Sequence, residues 1–289
     1  MDCVMSSTPI ATEPLFEARN LAIKFQTMRG EIAAVRGVSF EVGREKVAIV
    51  GESGSGKSTI GRAILKLLPP SARITADCLR LGGTDLLSAD SKAMRAIRGR
   101  RVSMILQDPK FSLNPVLTIG NQIAEAYRVH HEASQREAMQ RALQMLEAVK
   151  IRDPEHVARL YPHQVSGGMG QRVMIAMMLV PEPEMIIADE PTSALDVTVR
   201  LQVLAILDEL VQARGISLIF ISHDLNLVGS FCDRVLIMYG GRLVEQLAAK
   251  DLPNAQHPYT RGLLGALPRL GARRERLQIL TRDPSWLQG

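Results

Sequence analysis

The sequence predicts an α/β fold in which a parallel sheet is covered by helices, and three observations lead there. Short β-type runs recur along the 289 residues, at 21–25, 47–50, 102–106, 185–189, 218–222 and 235–239, with helical segments between several of them. From about Thr118 to Pro181 no convincing strand occurs, and Met139, Leu143, Leu146 and Val149 repeat at helical spacing, which reads as a helical insertion over about 108–180. A glycine-rich loop joins the 47–50 run to a helix expected over 60–68, with Pro69 and Pro70 ending it.

Composition narrows the class before any motif is considered. Apolar residues make up 46% and charged residues 22%, which is globular composition rather than disordered or collagen-like. The length suits about two domains, or one with a large insertion. The longest purely apolar stretch, 173–180, stops at Pro181, far short of the ~20 residues a spanning helix needs. The first residues hold no basic region followed by an apolar run, so no secretory signal is expected and the chain is expected in the cytosol. Cys3, Cys78 and Cys232 are widely spaced and odd in number, which argues against a disulfide framework or a structural zinc site. The net charge is +5, with arginines grouped at Arg95, Arg98, Arg100 and Arg101 and again at Arg269, Arg273, Arg274, Arg276 and Arg282. No aromatic interleaves with them as a nucleic-acid stacking platform requires, and they read as solvated surface.

The chemistry begins at Gly51, Glu52, Ser53, Gly54, Ser55, Gly56, Lys57, Ser58 and Thr59, which satisfy the pattern GxxxxGK[ST] between a strand and a helix. Glycines let the backbone curl so that successive N–H groups and the helix N-terminus face a phosphate. Lys57 is then expected on the β and γ phosphates and Ser58 on Mg²⁺. Downstream, the strand 185–189 ends in Asp189, placed to hold Mg²⁺, and is followed by Glu190, placed to polarise an attacking water. Ser166, Gly167 and Gly168 open an apolar helix expected over 172–180 and offer either a second anion site or an ordinary helix cap. Gly170, in the first turn, costs up to about 1 kcal/mol of helix stability, so this helix is expected to start less firmly.

Taken in order, these residues resemble the ATP-binding subunits of ABC transporters over about residues 15–245. The series runs from Phe25, an adenine-stacking candidate, through the 51–59 loop, Gln107, the signature 166–171, the strand ending at Asp189, Glu190, the turn ending at Asp196, and His223. The resemblance implies a P-loop NTPase (RecA-like) core with an antiparallel β subdomain and an inserted α-helical subdomain, followed by a short appendage over 246–289. It also implies ATP and Mg²⁺ as ligands, Gln107 as a further metal and catalytic contact, and Glu190 and His223 as catalytic groups. The loop 51–59 with Phe25 would hold the nucleotide from one subunit, and Ser166, Gly167, Gly168 and Asp196 would contact it from the other.

Finer matches at 107–115, 161–169 and 257–270 look like the ATPases of peptide and nickel importers. That branch implies a second ATPase subunit, identical or different, two transmembrane permease subunits and a solute-binding protein, with this chain peripheral on the cytoplasmic face of the inner membrane. Two other readings share parts of the pattern. A P-loop kinase leaves the 166–171 segment and His223 without a role. A soluble ABC-type ATPase acting on nucleic acid or ribosomes usually carries a second motif set, a long coiled coil or zinc-binding cysteines, which this sequence lacks. No nucleic acid is therefore expected as a partner.

Overall fold

The computed structural model describes residues 13–109 and 112–267, together with Asp283 and Trp286. Cys3 and the basic residues Arg269, Arg273, Arg274, Arg276 and Arg282 lie outside the described residues.

A long hairpin opens the chain, β1 (Phe16–Thr27) with β2 (Gly30–Val42), and leads into β3 (Lys46–Gly51) and α1 (Lys57–Ile64). Short strands β4 (Ala72–Thr75), β5 (Cys78–Leu81) and β6 (Thr84–Asp85) follow, then α2 (Ser91–Ile97) and β7 (Val102–Ile105). The stretch up to the next strand is helical: α3 (Ile119–Arg128), α4 (Gln135–Ala148), α5 (Pro154–Arg159), a 3-10 turn and α6 (Gly167–Leu179). The chain continues through β8 (Met185–Asp189), α7 (Val197–Arg214), β9 (Ser217–Ser222), α8 (Leu225–Phe231), β10 (Arg234–Tyr239) and β11 (Arg242–Ala248). A 3-10 segment and α9 (Pro258–Ala266) complete the described elements apart from the single residues 283 and 286.

Two sheets form. One is antiparallel, ordered β2-β1-β5-β6 with β4 also on β1. The other is ordered β11-β10-β3-β9-β8-β7 and is parallel except for the edge strand β11. Strand periodicity explains how the layers stack, because successive side chains face opposite sides. In β3, Val47 and Ile49 join a core with α1 and the antiparallel sheet, whereas Ala48 and Val50 join a core with α3, α4, α6 and α7. Both faces of the parallel sheet are thus covered, as its near-continuous apolar strands require.

The six sequence-read runs lie on strands, five of them in the parallel sheet, with Leu106 alone falling one residue past β7. β2, β4, β5, β6 and β11 are additional; β2 and β5 alternate buried with exposed residues, β4, β6 and β11 bury none fully, and none offers a continuous buried apolar run. α1 ends earlier than the prolines suggested. Lys66 takes φ 48°, with Lys66 N–H on the Ala63 carbonyl at 3.0 Å and Leu67 N–H on the Arg62 carbonyl at 2.8 Å, a Schellman closure before Pro69. The signature helix begins earlier than expected, at Gly167, and buries most of its length. Among the described residues no helix is long and apolar enough to cross a membrane.

The first arginine group is not simply solvated. Arg98 donates to the Leu65 and Lys66 carbonyls at 2.8 and 3.0 Å, and Arg101 grips Glu184 through two bonds of 2.9 Å. These guanidinium groups tie α2 and β7 to neighbouring elements.

Candidate functional site

The parallel sheet sets the geometry, because its loops gather at the carboxyl ends of adjacent strands, where open α/β sheets bind ligands. Val50 pairs with Ser222, Ile221 with Asp189, and Ala188 with Ile105. The loop after β3, His223 after β9, Glu190 after β8 and Gln107 beyond β7 therefore project from one edge. Gln107 is exposed there. The segment behind it is clamped by Gln122, a buried side chain that accepts from Asn114 N–H at 2.8 Å and donates to the Asn114 and Leu117 carbonyls at 3.0 and 2.9 Å.

In the loop itself, Gly56 caps α1 with φ 98°, and a Cβ there would come within 2.5 Å of the Ala34 carbonyl on β2. Only glycine takes that conformation in that space without strain. Ser53 and Gly54 are exposed, Glu52, Ser58 and Thr59 half-buried, and Ser55 and Lys57 buried. The Ser55 hydroxyl has no hydrogen-bond partner among the described residues. Lys57 Nζ donates to the Gly51 and Glu52 carbonyls, each at 2.8 Å. Burial pulls its ammonium below the ordinary lysine range, opposed by the charges of Glu190, Asp189 and Glu52.

Across the sheet, the Ser58 hydroxyl donates to Asp189 Oδ1 at 2.7 Å. Burial raises the Asp189 carboxyl above its usual range, outweighing that hydrogen bond and the Arg62 charge. Glu190 holds a left-handed backbone, φ 46°, unusual for a non-glycine residue and costing on the order of 1–3 kcal/mol. Its N–H bonds the Ile221 carbonyl at 3.0 Å, and its carbonyl accepts from Ser193 N–H at 3.2 Å and Ser193 Oγ at 3.1 Å. The side chain is thereby aimed, and His223 Nδ1 lies 3.2 Å from Glu190 Oε1.

The signature residues occupy a different place. Ser166 caps α6, its Oγ accepting from Met169 N–H at 3.4 Å, and with Gly167, Gly168 and Asp196 it lines an open cleft of about 900 Å³ that none of residues 51–59 lines. Asp196 itself caps α7 through Val199 N–H at 3.0 Å. Basic side chains, Lys150, Arg152 and Arg172, also border the cleft. Gly170 is buried, and a Cβ there would make only ordinary contact, 3.7 Å from Pro109 Cγ. Phe25 is half-buried at the end of β1, packed against the antiparallel-sheet core and paired with Ile32.

Gln171 was not singled out by sequence as a separate site residue. It is buried, and its amide donates to the Pro191 carbonyl, next to Glu190. The inward register of its position on α6 was the available signal. Through it the signature helix is tied to the turn carrying Glu190.

Comparison with known proteins gives the same picture from outside. A family model described as "ABC transporter" matches residues 35–193. The chain is 47% identical over 261 residues to the dipeptide transport ATP-binding protein DppD of Bacillus subtilis (strain 168), covering 89% of this chain and 78% of that one. It is 45% identical over 259 residues to the oligopeptide transport ATP-binding protein OppD of the same organism, covering 89% and 72%. Among solved structures, the dimeric ATP-binding cassette MJ0796 in a post-hydrolysis state bound to ADP and Pi superposes with a TM-score of 0.70 at 27% identity, covering 81% of this chain and 98% of that one.

Proposed function

The chain belongs to the ABC transporter family and is an ATPase subunit, and on that premise we propose that it drives uptake of peptides or a related small solute through separate permease subunits. One observation carries the mechanism: Ser166, Gly167 and Gly168 line a cleft to which none of residues 51–59 contributes. Each half-site is incomplete, so two ATPase subunits, identical or different, must pair head to tail. The dimeric arrangement of the MJ0796 cassette supports this reading.

In the closed pair, residues 51–59 cradle the polyphosphate, with Lys57 leaving its two carbonyl partners for phosphate oxygens and Phe25 meeting the adenine. Ser166, Gly167, Gly168 and Asp196 approach from the second subunit. Ser58 and Asp189 present hard oxygens 2.7 Å apart, a donor set that suits Mg²⁺, with Gln107 as a further oxygen ligand. An ion held there would neutralise phosphate charge. Glu190 accepts the proton of the attacking water, and His223 orients Glu190 and the leaving phosphate. Closure follows because ATP makes contacts in the paired state that it cannot make in the open one.

We divide the chain into the ATPase domain over 15–245 and the C-terminal segment after it. The chain acts at the cytoplasmic face of the membrane, held by permease subunits, with a solute-binding protein delivering cargo. The test is purification of the intact complex through a tag on this chain, identification of its subunits by mass, and uptake of labelled di- and tripeptides into vesicles. Peptide uptake that stops with Lys57→Ala is expected. A complex holding nucleic acid or ribosomal protein in place of permeases would overturn the proposal.

A further inference from the structure

The C-terminal segment reaches back to the phosphate loop. Tyr259, in the first turn of α9, is fully buried, and its phenol oxygen accepts a hydrogen bond from the backbone N–H of Glu52 at 3.1 Å. Glu52 follows Gly51 at the mouth of the loop, and its carbonyl is one of the two that hold Lys57 Nζ. One residue therefore carries the contact from α9 on its N–H and the contact to Lys57 on its C=O.

Two aromatic rings pack near the Tyr259 ring. Its ring centroid lies 4.5 Å from that of Tyr239 and 5.8 Å from that of Trp286, and Tyr239 and Trp286 are 5.6 Å apart. Tyr239 ends β10, which runs parallel to β3 with Met238 paired to Gly51, so this cluster sits where the loop leaves the sheet. The start of α9 is fixed as well. Glu245 Oε1 on β11 accepts from Gln256 N–H at 2.6 Å and His257 N–H at 3.2 Å, and His257 Nδ1 accepts from Tyr259 N–H at 3.2 Å. A hydroxyl on a packed ring, unlike a free water, is already in place before nucleotide arrives, which lowers the ordering cost of binding.

We infer that Tyr259 is a positioning residue for the phosphate loop, through which the segment after β11 braces the Glu52 peptide and, with it, Lys57. This rests on the nucleotide-site reading of residues 51–59. The test compares the full chain as wild type, Tyr259→Phe, Tyr239→Phe and Lys57→Ala by displacement of a fluorescent nucleotide with MgATP, and by hydrogen exchange at the Glu52 amide. Tyr259→Phe keeps the ring and removes the hydroxyl that accepts from Glu52 N–H, so ATP binding is expected to weaken about fivefold while Glu52 exchange accelerates. In the assembled ATPase, KM should rise and kcat stay within about twofold. Tyr239→Phe keeps wild-type affinity and exchange. Wild-type affinity in Tyr259→Phe, an equal loss in Tyr239→Phe, or rapid Glu52 exchange in the wild-type chain would each overturn the inference. Failure of wild type to bind ATP, or unchanged binding in Lys57→Ala, would instead remove the nucleotide-site reading and this inference with it.

Discussion

Replacing Lys57 with alanine removes more than a phosphate contact. Its ammonium is buried and holds two loop carbonyls at 2.8 Å, so truncation leaves the Gly51 and Glu52 carbonyls without those donors. Hydrogen bonds to a charged group contribute about 1.5–3 kcal/mol each, and because water can reach the loop mouth we take about 2–3 kcal/mol for the pair. At about 2–4 °C per kcal/mol for a chain of this size, the nucleotide-free Tm should fall by roughly 5–10 °C. ATP at a hundredfold excess over Kd stabilises a binding-competent chain by about 2.7 kcal/mol, again roughly 5–10 °C, and the variant should lose that shift. Differential scanning fluorimetry with and without MgATP measures both numbers in one plate. A variant that keeps the ATP-induced shift would refute the phosphate role, and one with an unchanged nucleotide-free Tm would refute the bracing role.

Three further outcomes follow from other parts of the molecule. Gly170→Ala should firm the signature helix by up to about 1 kcal/mol, since the added Cβ meets Pro109 only at van der Waals distance, and a fall in Tm would show that the site cannot take it. Cys232, whose thiol is pushed up to about 12 by burial, should resist alkylation at pH 8 in the folded chain and react once denatured; rapid labelling of folded protein would contradict its placement. Glu17 is disfavoured as an anion by burial, yet bonds from Arg80 and Arg19 outweigh this and hold its carboxyl below the usual range. Its contribution is complete above the unfolded carboxylate pKa and fades as pH falls through the lower folded value. The Tm deficit of Glu17→Gln should therefore be constant from pH 7 to 5 and shrink below about pH 4, and a deficit that grows with acid would contradict the pairing.

The sequence made much of the site readable because its chemistry is local. Residues 51–59 carry their own strand, turn and helix signals, and the apolar run ending at Asp189 marks a buried parallel strand by composition alone. What could not be read depends on contacts distant in the chain. The Ser58–Asp189 bond spans 131 positions and the Glu52–Tyr259 bond 207, and no spacing rule links them. The antiparallel strands were partly hidden because half-exposed alternation is weaker than a continuous apolar run, as in β2. No motif separates Gln122, or sets Gln171 apart within the signature, yet both are buried and satisfy backbone groups across a turn or farther along the chain. Lys57 was expected on the β and γ phosphates, and its bonds to the Gly51 and Glu52 carbonyls add a structural role that the motif does not show.

The central claim is that Glu190 acts on ATP held between this chain's phosphate loop and another subunit's signature. Glu190→Gln keeps the side chain's size and removes its charge, leaving the left-handed backbone and the Ile221 and Ser193 bonds undisturbed. The measurement is nucleotide retained by the assembled complex after rapid desalting in MgATP, counted at the site that contains residue 190. Hydrolysis should slow by a factor on the order of 10² or more, the scale of one lost acid–base group, so that unhydrolysed ATP stays occluded in a closed pair. Release of ADP from that site at the wild-type rate would contradict the account.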